Sequence, residues 1–345
     1  MKLYEMIIKP QSGFGTSLKG DTLFGHFCWQ ARNDPGILNG GLDRWIDLYA
    51  ERPFAVFSSA WPKLCIDGKE WYALKRPDLP LSRLFPVTDK DRKKRMTERK
   101  EKGKQKWLLV EEDLRINLKT AEYKSEKELA TLAFGELTDE TRRLMRGKGK
   151  LRLMADFLQT HNTIDRRTMT TGEGMFAPYA MSSVFFYPEM ELVAFVLIDE
   201  EATDIDRVRD ALERIGKRGF GRDASTGLGR FDLGEDDEKT LPDVPGANAC
   251  YTLAPAVPEK GVFKDNFFTP FTRFGRHGDI LATSGNPFKN PIIMADEGAV
   301  FVPAGKDAFE KPYLGRAVRD ISKSEPRTVA QGYAPYLPLK LEMQT

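Results

Sequence analysis

The sequence contains little cysteine and no long apolar run. Its three cysteines, Cys28, Cys65 and Cys250, form no C-x-x-C pair and no disulfide framework, which is typical of a protein kept in a reducing compartment. No apolar stretch reaches membrane-spanning length, and the N-terminal "MKLYEMIIKP" lacks the apolar region of a secretory signal peptide. These absences argue against membrane-spanning and disulfide-stapled classes, and we expect a cytoplasmic protein with no membrane partner.

The sequence also has no large excess of positive or negative charge. The chain has 53 Lys and Arg residues against 51 Asp and Glu residues, so its formal net charge is only +2. Any binding to nucleic acid would therefore depend on local basic patches rather than on the charge of the whole protein. The 345 residues and the 41% hydrophobic content suit a globular protein of about two domains.

Candidates for catalysis are few. The only histidines are His26, His161 and His277, and His26 lies in an apolar helical stretch that is typical of a core position. No H-E-x-x-H or C-x-x-C motif supplies metal ligands. Asp165 and Asp223 stand beside arginines, with which we expect them to pair. We predict that the protein is not an enzyme and has no catalytic residues, no metal and no cofactor.

The N-terminal residues predict a strand followed by a helix. Residues 2–10 alternate between apolar and polar, as a strand does, and "QSGFGTSLKG" follows as a loop of small residues. Residues 21–32 have helical spacing, and we predict Asp21 as the N-cap of that helix.

A second strand–helix pair comes later. Residues 191–199 are apolar on both faces, as in a central strand. The next apolar residues recur at helical spacing from Ile205, with Thr203 or Asp204 as N-cap and Gly216 as the expected stop. A glycine-rich loop and a short strand, "GRFDLGE", then follow.

These two pairs bracket one domain and predict a ferredoxin-like (RRM-like) arrangement for it. We interpret the second unit as a degenerate copy of the first, so the expected fold is α+β with two ferredoxin-like domains in tandem. The first domain spans 1–240, with further strands near 54–75 and 180–187 and with long insertions. The acidic, proline-punctuated segment 234–246 marks the boundary, and the second domain spans 247–345.

Three segments stand out by composition. A charged insertion covers about 88–150, and within it 89–106 holds ten basic and four acidic residues. We interpret the 89–106 run as a solvated helix or mobile loop, with an RNA-contacting surface as the alternative. The aromatic stretch 263–274 suits either burial between the domains or contact with a protein neighbour. Residues 291–305 predict a hairpin that turns at Asp296-Glu297-Gly298.

The densest glycine signal is "GFGRDASTGLG", residues 219–229, called here the glycine loop. The order helix–loop–strand excludes a P-loop or a Rossmann fingerprint, because both need a strand before the loop and a helix after it. A structural turn is one interpretation. We favour a seat for RNA phosphates, made of bare backbone, hydroxyls and guanidinium groups. The predicted RNA-binding residues here are Arg218, Phe220, Gly221, Arg222, Ser225, Thr226, Gly227 and Gly229.

Two other segments are candidate RNA contacts. Ser17, Lys19 and Gly20 precede the first predicted helix, whose free N–H groups suit a phosphate, although a simple helix start explains them equally well. The segment 161–179 is a predicted hairpin, and an ordinary exposed hairpin is the alternative to an RNA-binding one. Its candidate phosphate contacts are Asn162, Arg166 and Arg167, and its apolar tip consists of Met175, Phe176 and Pro178.

Taken together, these stretches resemble the RAMP superfamily of CRISPR ribonucleoproteins. The glycine loop is similar to the glycine-rich loop of that superfamily. "LKGDTLFGHFCW", "HNTIDRRT", "PIIMADEGAVF" and "GYAPYLPL" follow one another in the order typical of the type III-A (Csm) subunit that holds the 5′ handle of CRISPR RNA. The length and basicity of the 88–150 insertion depart from this pattern.

The resemblance implies a non-catalytic subunit that caps the backbone filament of a Csm complex. Its implied partners are CRISPR RNA, the target RNA near the handle, the large polymerase/cyclase-domain subunit and the backbone RAMP subunit. It also implies that the 161–179 hairpin is a thumb that kinks the guide–target duplex. One alternative is a RAMP endoribonuclease that processes precursor CRISPR RNA with His26 or His161 as general acid or base. Others are the equivalent subunit of another type III subtype and an RNA-binding protein outside CRISPR defence.

Overall fold

The structure is a computed structural model that describes residues 1–86, 91–147, 151–305 and 309–342, and only the backbone at Met175. Its helices are α1 (Gly20–Asn33), α2 (Leu42–Leu48), α3 (Leu81–Leu84), α4 (Arg92–Lys104), α5 (Glu126–Glu136), α6 (Asp139–Met145) and α7 (Ile205–Arg218). The strands up to residue 240 are β1 (Lys2–Pro10), β2 (Ala55–Ile66), β3 (Lys69–Lys75), β4 (Gln105–Glu111), β5 (Glu122–Ser125), β6 (Met154–His161), β7 (Tyr179–Phe186), β8 (Glu191–Ile198) and β9 (Phe231–Lys239).

A seven-stranded antiparallel sheet forms the centre of the molecule, in the order β5-β4-β3-β2-β8-β1-β9. Within it, β2-β8-β1-β9 has the strand order of a β-α-β-β-α-β unit, because α1 follows β1 and α7 follows β8. The apolar sequence of β8 explains its central place, since Leu192 to Ile198 are all buried. The N-terminal strands and helices predicted from periodicity are therefore present.

The second strand–helix pair ends differently from the prediction. Asp204 caps α7 as expected, and its carboxylate accepts a hydrogen bond from the backbone N–H of Arg207 at 2.9 Å. The predicted stop at Gly216 is wrong, because α7 continues to Arg218 and ends at Gly219, where φ is +101°. Gly216 instead lets the helix approach β9, since a Cβ there would overlap the carbonyl oxygen of Phe231.

The start of α1 also differs. Its N-cap is Lys19, not Asp21. Asp21 lies in the first turn, where its carboxylate accepts hydrogen bonds from the Arg273 guanidinium at 2.5 and 2.9 Å. Because this partner is 252 positions away in sequence, the local capping pattern is misleading here.

The charged insertion is partly built into the sheet. The apolar residues that follow the basic run form β4, in which Leu108, Leu109 and Val110 are buried. β5 pairs with β4 at the edge of the sheet. The basic run forms α4, which has no buried residue, in agreement with a solvated helix. Residues 88–90 and 148–150 of this prediction lie outside the described residues.

The strand predicted near 180–187 exists but does not join the central sheet. It is β7, which pairs over its full length with β6, from Met154 opposite Phe186 to His161 opposite Tyr179. Six of the eight residues of β6 are exposed, so this two-stranded β6–β7 hairpin extends away from the body.

The residues after 247 form a largely β unit. Its strands are β10 (Ala249–Thr252), β11 (Phe263–Phe267), β12 (Pro270–Arg273), β13 (Ile292–Ala295), β14 (Val300–Pro303), β15 (Tyr313–Gly315) and β16 (Tyr333–Leu339). Five of them form a sheet in the order β11-β14-β10-β16-β15. Between 247 and 342, the described residues contain a short 3₁₀ helix but no α-helix, which differs from the predicted second ferredoxin-like pattern.

The hairpin predicted over 291–305 is wrong. β13 pairs with β12, whereas β14 pairs with β10 and β11, so the two strands belong to different sheets. The intervening Asp296 and Glu297 turn inward to meet a lysine of the first unit, which separates the strands.

One hydrophobic core joins the two units. Phe27 and Phe57 of the first unit share a buried cluster with Tyr251 and Leu337 of the second. The Gln331 side-chain amide also donates to the carbonyl of Phe57 at 2.7 Å. The division at 234–246 stays a prediction. No helix in the described part of the chain is both long enough and apolar enough to cross a bilayer.

Candidate nucleic-acid interface

The glycine loop is closed at its base and attached to the loop at residues 11–17, called here the N-terminal loop. The backbone N–H of Phe220 donates to the carbonyl of Gly229 at 2.8 Å, which closes the glycine loop. The N–H of Gly229 donates to the carbonyl of Gly13 at 2.7 Å, which ties the two loops together. Two glycine-containing loops therefore form one surface at the end of α7.

Close packing explains part of the glycine density. The φ angles of Gly219, Gly221, Gly227 and Gly229 are all positive, between +72° and +101°. A Cβ at Gly229 would overlap the backbone of Phe220, and one at Gly221 would lie 2.5 Å from Cβ of Thr16.

Gly227 is different from the other glycines of this loop. Its φ is +99°, but a Cβ there would have no heavy atom within 4 Å. Packing therefore does not require the missing side chain at Gly227. The backbone at this position is open to an approaching molecule.

His26 supports the loop from below. Its Nε2 accepts a hydrogen bond from the N–H of Gly221 at 3.1 Å, and its ring lies 4.6 Å from that of Phe220. Burial, and to a lesser extent the charge of Lys289, lower the pKa of His26 to about 4. The imidazole is thus neutral at pH 7 and its Nε2 lone pair is occupied, which suits a structural role better than general base catalysis.

The predicted RNA-binding residues of the loop divide into buried and exposed groups. Phe220 is fully buried, so its side chain is not part of the surface. Arg218, Ser225 and Thr226 are exposed, and Arg218 forms no ion pair with a described residue. Ser225 and Thr226 directly precede Gly227 in the loop, and Arg218 ends α7 just before the loop begins.

Arg222 links the glycine loop to the β6–β7 hairpin. Its backbone N–H donates to the hydroxyl of Thr16 at 2.9 Å, and its guanidinium donates to the carbonyl of Ser182 in β7. The guanidinium also pairs with Asp223 at 3.1 Å, as predicted for that carboxylate. Its side chain is 41% exposed, so it retains access to solvent.

The base of the hairpin is anchored to the N-terminal loop. Phe14 and Val184 exchange two backbone hydrogen bonds of 2.8 and 2.9 Å. The ring of Phe185 lies over Gly13, where an added Cβ would come within 2.6 Å of it. The hairpin, the N-terminal loop and the glycine loop are therefore parts of one connected surface.

The far end of the hairpin carries the other predicted contacts. Asp165 and Thr170 close a turn that presents Arg166 and Arg167, and the Arg167 side chain is 91% exposed. Asn162 is also exposed. At the predicted tip, Pro178 is exposed and Phe176 is half-buried, while the Met175 side chain lies outside the described residues.

Lys19 does not join this surface. Its ammonium contacts both oxygens of Glu297 at 2.7 and 2.6 Å and also pairs with Asp296. It lies 4.5 Å from the centre of the Phe271 ring. Gly20 is buried against the carbonyl of Phe57, and of the predicted phosphate seat only Ser17 is exposed.

The sequence-based prediction missed the supporting residues of the site. Gly13, Gly15 and Thr16 hold the glycine loop, and Ser12 accepts a hydrogen bond from the N–H of Arg230 at 2.9 Å. The glycine pair in "QSGFGTS" was the available signal. Among the described residues, no group of three or more His, Cys, Asp or Glu side chains is placed to hold a metal ion.

The mixed α+β architecture with several sheets is consistent with a RAMP fold, as the sequence resemblance implied. No protein-family model and no curated protein matches the sequence. Solved structures do match it along its whole length.

Several of the structural neighbours are Csm4 chains, one of them from a type III-A complex. One comes from a crystal structure of a Csm3-Csm4 subcomplex in the type III-A CRISPR-Cas interference complex, with a TM-score of 0.52, 15% identity and coverage of 99% of this chain and 100% of that chain. Another comes from a Csm1-Csm4 cassette in complex with pppApA, with a TM-score of 0.51, 17% identity and coverage of 100% and 99%. A cassette with AMPPNP gives a TM-score of 0.51 at 18% identity, with both chains fully covered. At these identities the likeness establishes the fold.

Proposed function

We propose that this chain is the non-catalytic, RNA-binding subunit of a cytoplasmic type III-A CRISPR ribonucleoprotein, and that it holds the repeat-derived 5′ handle of CRISPR RNA. The observation that carries the proposal is the open space at Gly227, in a loop whose exposed Ser225 and Thr226 directly precede it and which follows the exposed Arg218 at the end of α7, beside a projecting hairpin. The full-length likeness to Csm4 chains supports it.

The chemistry of this surface suits a single-stranded RNA backbone. The open space at Gly227 lets a ribose-phosphate chain approach the peptide closely, and hydroxyls and guanidinium groups offer hydrogen bonds to phosphate oxygens. Arg166 and Arg167 on the hairpin continue the cationic surface away from the loop. An RNA strand that runs from the glycine loop along the hairpin would meet both groups.

The proposed partners follow from the neighbours. Those Csm4 chains are solved with Csm1 and with Csm3, so we propose that this chain docks the large polymerase/cyclase subunit and the backbone RAMP subunit of its own complex. The hairpin would then act as the thumb beside the target RNA, and the second unit would be a divergent ferredoxin-like domain. The assignment to a non-enzyme rests on the occupied lone pair of His26. Purified chain incubated with host repeat RNA is expected to leave that RNA intact.

A matched pair of substitutions at Gly227 tests the RNA site. Gly227→Asp and Gly227→Asn have side chains of nearly the same size and place the same strain on the positive φ, so they differ mainly in charge. We expect Gly227→Asn to weaken binding of a synthetic RNA that carries the host 5′ handle, and Gly227→Asp to weaken it at least about tenfold more, a difference of about 1.4 kcal/mol.

Binding is measured by fluorescence anisotropy over a salt series, and circular dichroism verifies the fold of both variants. Arg218→Ala serves as a second variant and is expected to reduce the magnitude of the negative slope of log K against log [salt] by about 0.7, the value for one single-strand phosphate contact. If Gly227→Asp binds the RNA as tightly as Gly227→Asn, the loop does not lie against phosphates and the proposal fails.

A further inference from the structure

A cavity lies between the helices of the first unit and the loops of the second, and the proposed RNA site does not use it. Its volume is about 150 Å³, and it is bounded by α1, α2 and segments near residues 277–289 and 325–329. Most of its wall is apolar. The apolar side chains are Trp29, Leu42, Ile46, Ile280, Leu281 and Val329.

Most of the charged groups in the wall neutralise one another. Asp43 accepts ion pairs from Arg32 and from Arg327, each at 3.0 Å. Arg327 also lies 3.6 Å from Glu325. Two guanidinium groups therefore face two carboxylates, and this part of the wall has no net charge.

Lys289 is the exception. It also lines the cavity, yet its ammonium forms no hydrogen bond or ion pair with any residue that the structure describes. Burial lowers the pKa of Lys289, because a charged ammonium loses its hydration there. Lys289 is half-buried, and an ammonium that has lost part of its hydration without gaining a partner would be stabilised by an anion that reaches it.

No described residue supplies an anion to the Lys289 ammonium. Burial raises the pKa of the neighbouring Cys28 thiol to about 12, so it is uncharged at pH 7. Burial, and then the charge of Lys289, lower the pKa of His277, whose Nε2 is 2.7 Å from the hydroxyl of Ser322. The nearby Asp21 is already paired with Arg273.

We propose that this cavity binds a small organic anion with a flat apolar body, of the size and chemistry of an aromatic carboxylate. The carboxylate would pair with the Lys289 ammonium, and the ring would lie among Trp29 and the aliphatic wall. A cavity of this volume accommodates a benzene-sized group. It is too small for a nucleotide or a typical drug-sized ligand, which occupy pockets of about 300–1,000 Å³.

Benzoate is the probe, with benzyl alcohol and benzylamine as controls of similar size that carry no charge or a positive charge. In calorimetric titrations of the full chain, benzoate is expected to bind at least about tenfold more tightly than benzyl alcohol, and benzylamine is expected not to bind. Benzoate should also raise the melting temperature in a concentration-dependent way. Equal affinity for the three probes, or no binding of benzoate at about 10 mM, would overturn the proposal.

Two variants locate the binding. Lys289→Met removes the charge and keeps the length, so it is expected to abolish the preference for benzoate while raising the melting temperature of the free chain. Gly25 lines the cavity in α1, and a Cβ there meets no atom within 4 Å. Gly25→Leu is therefore expected to fill the cavity and block binding without unfolding the helix.

The matched control is Gly135→Leu. Gly135 is an exposed glycine in α5, also with open space for a Cβ, and it does not line the cavity. This substitution should leave benzoate binding unchanged. If Gly25→Leu and Gly135→Leu bind benzoate equally, the ligand sits elsewhere and the proposal is wrong.

Discussion

The ion pair between Lys19 and the 296–297 turn predicts that Lys19 acts through stability rather than through RNA binding. The Lys19, Asp296 and Glu297 side chains are only 14–20% exposed, so Lys19→Met leaves two largely buried carboxylates without this cation. Breaking a buried ion pair by removing one partner costs about 3–5 kcal/mol. Lys75 remains 3.6 Å from Asp296, so we expect a value near the lower end, about 3 kcal/mol.

The cost of Lys19→Met should depend on pH. Burial raises the pKa of Glu297, against the opposing effect of Lys19, so the folded state holds this proton more tightly than the unfolded state does. That contribution to stability is present at low pH and is lost as pH rises and Glu297 ionises. Without Lys19 the pKa of Glu297 rises further, so the difference in unfolding free energy between wild type and variant should be larger at about pH 8.5 than at about pH 6.

Urea denaturation followed by tryptophan fluorescence at these two pH values measures this difference. The double variant Lys19→Met/Glu297→Gln is expected to recover much of the lost stability, because it removes the orphaned charge. Handle-RNA affinity should be unchanged in Lys19→Met at low temperature, where the variant is folded. A variant as stable as wild type but weaker in RNA binding would refute this reasoning and restore Lys19 to the phosphate seat.

Three further outcomes are expected. Because the pKa of His26 is lowered in the folded state, its contribution to stability is complete above about pH 6.5 and is lost as pH falls towards 4. The loss amounts to about 3 kcal/mol in all. His26→Phe should make the free energy of unfolding depend less on pH, as measured by denaturation curves at several pH values. Replacing Met175 and Phe176 by Ala should shift the target-cleavage site nearest the hairpin in the assembled complex, as mapped on sequencing gels, while CRISPR RNA loading persists. Phe268 is 41% exposed, so Phe268→Asp should leave the chain folded but abolish its binding to the large subunit in pull-downs. Phe271→Asp should instead lower the melting temperature, because the Phe271 ring lies against Lys19 and Arg273.

Local patterns predicted the elements that local forces determine. β1, β8 and α7 follow from apolar periodicity and from the Asp204 cap, because these signals lie within each segment. Lys19 and Asp21 contact residues more than 250 positions away in sequence. A local pattern contains no information on such contacts, so it could not show that Lys19 pairs with Glu297 or that Asp21 is not the N-cap of α1.

The glycine loop shows the same limit within a single motif. Its glycine density was visible, but the tertiary fold decides that Gly229 serves packing while Gly227 stays open. Phe220 was predicted to bind RNA, whereas its ring is fully buried and lies against that of His26. β4 and β5 were not predicted, because the basic run before them dominates the composition of the insertion.

The β6–β7 hairpin is an arm whose base is held by contacts with the glycine loop and the N-terminal loop. Arg222 contacts β7 at Ser182, three residues from the outer end of the strand at Tyr179, so the strand extends about 10 Å beyond this contact at about 3.3 Å per residue. A tilt of about 5° at the contact would move the strand end by about 1 Å over that length. Arg222 and Phe14 hold the hairpin to both loops, so the direction of the arm is set at the same contacts that hold the glycine loop. A strand of RNA held at one end would thereby set the position of the arm at the other.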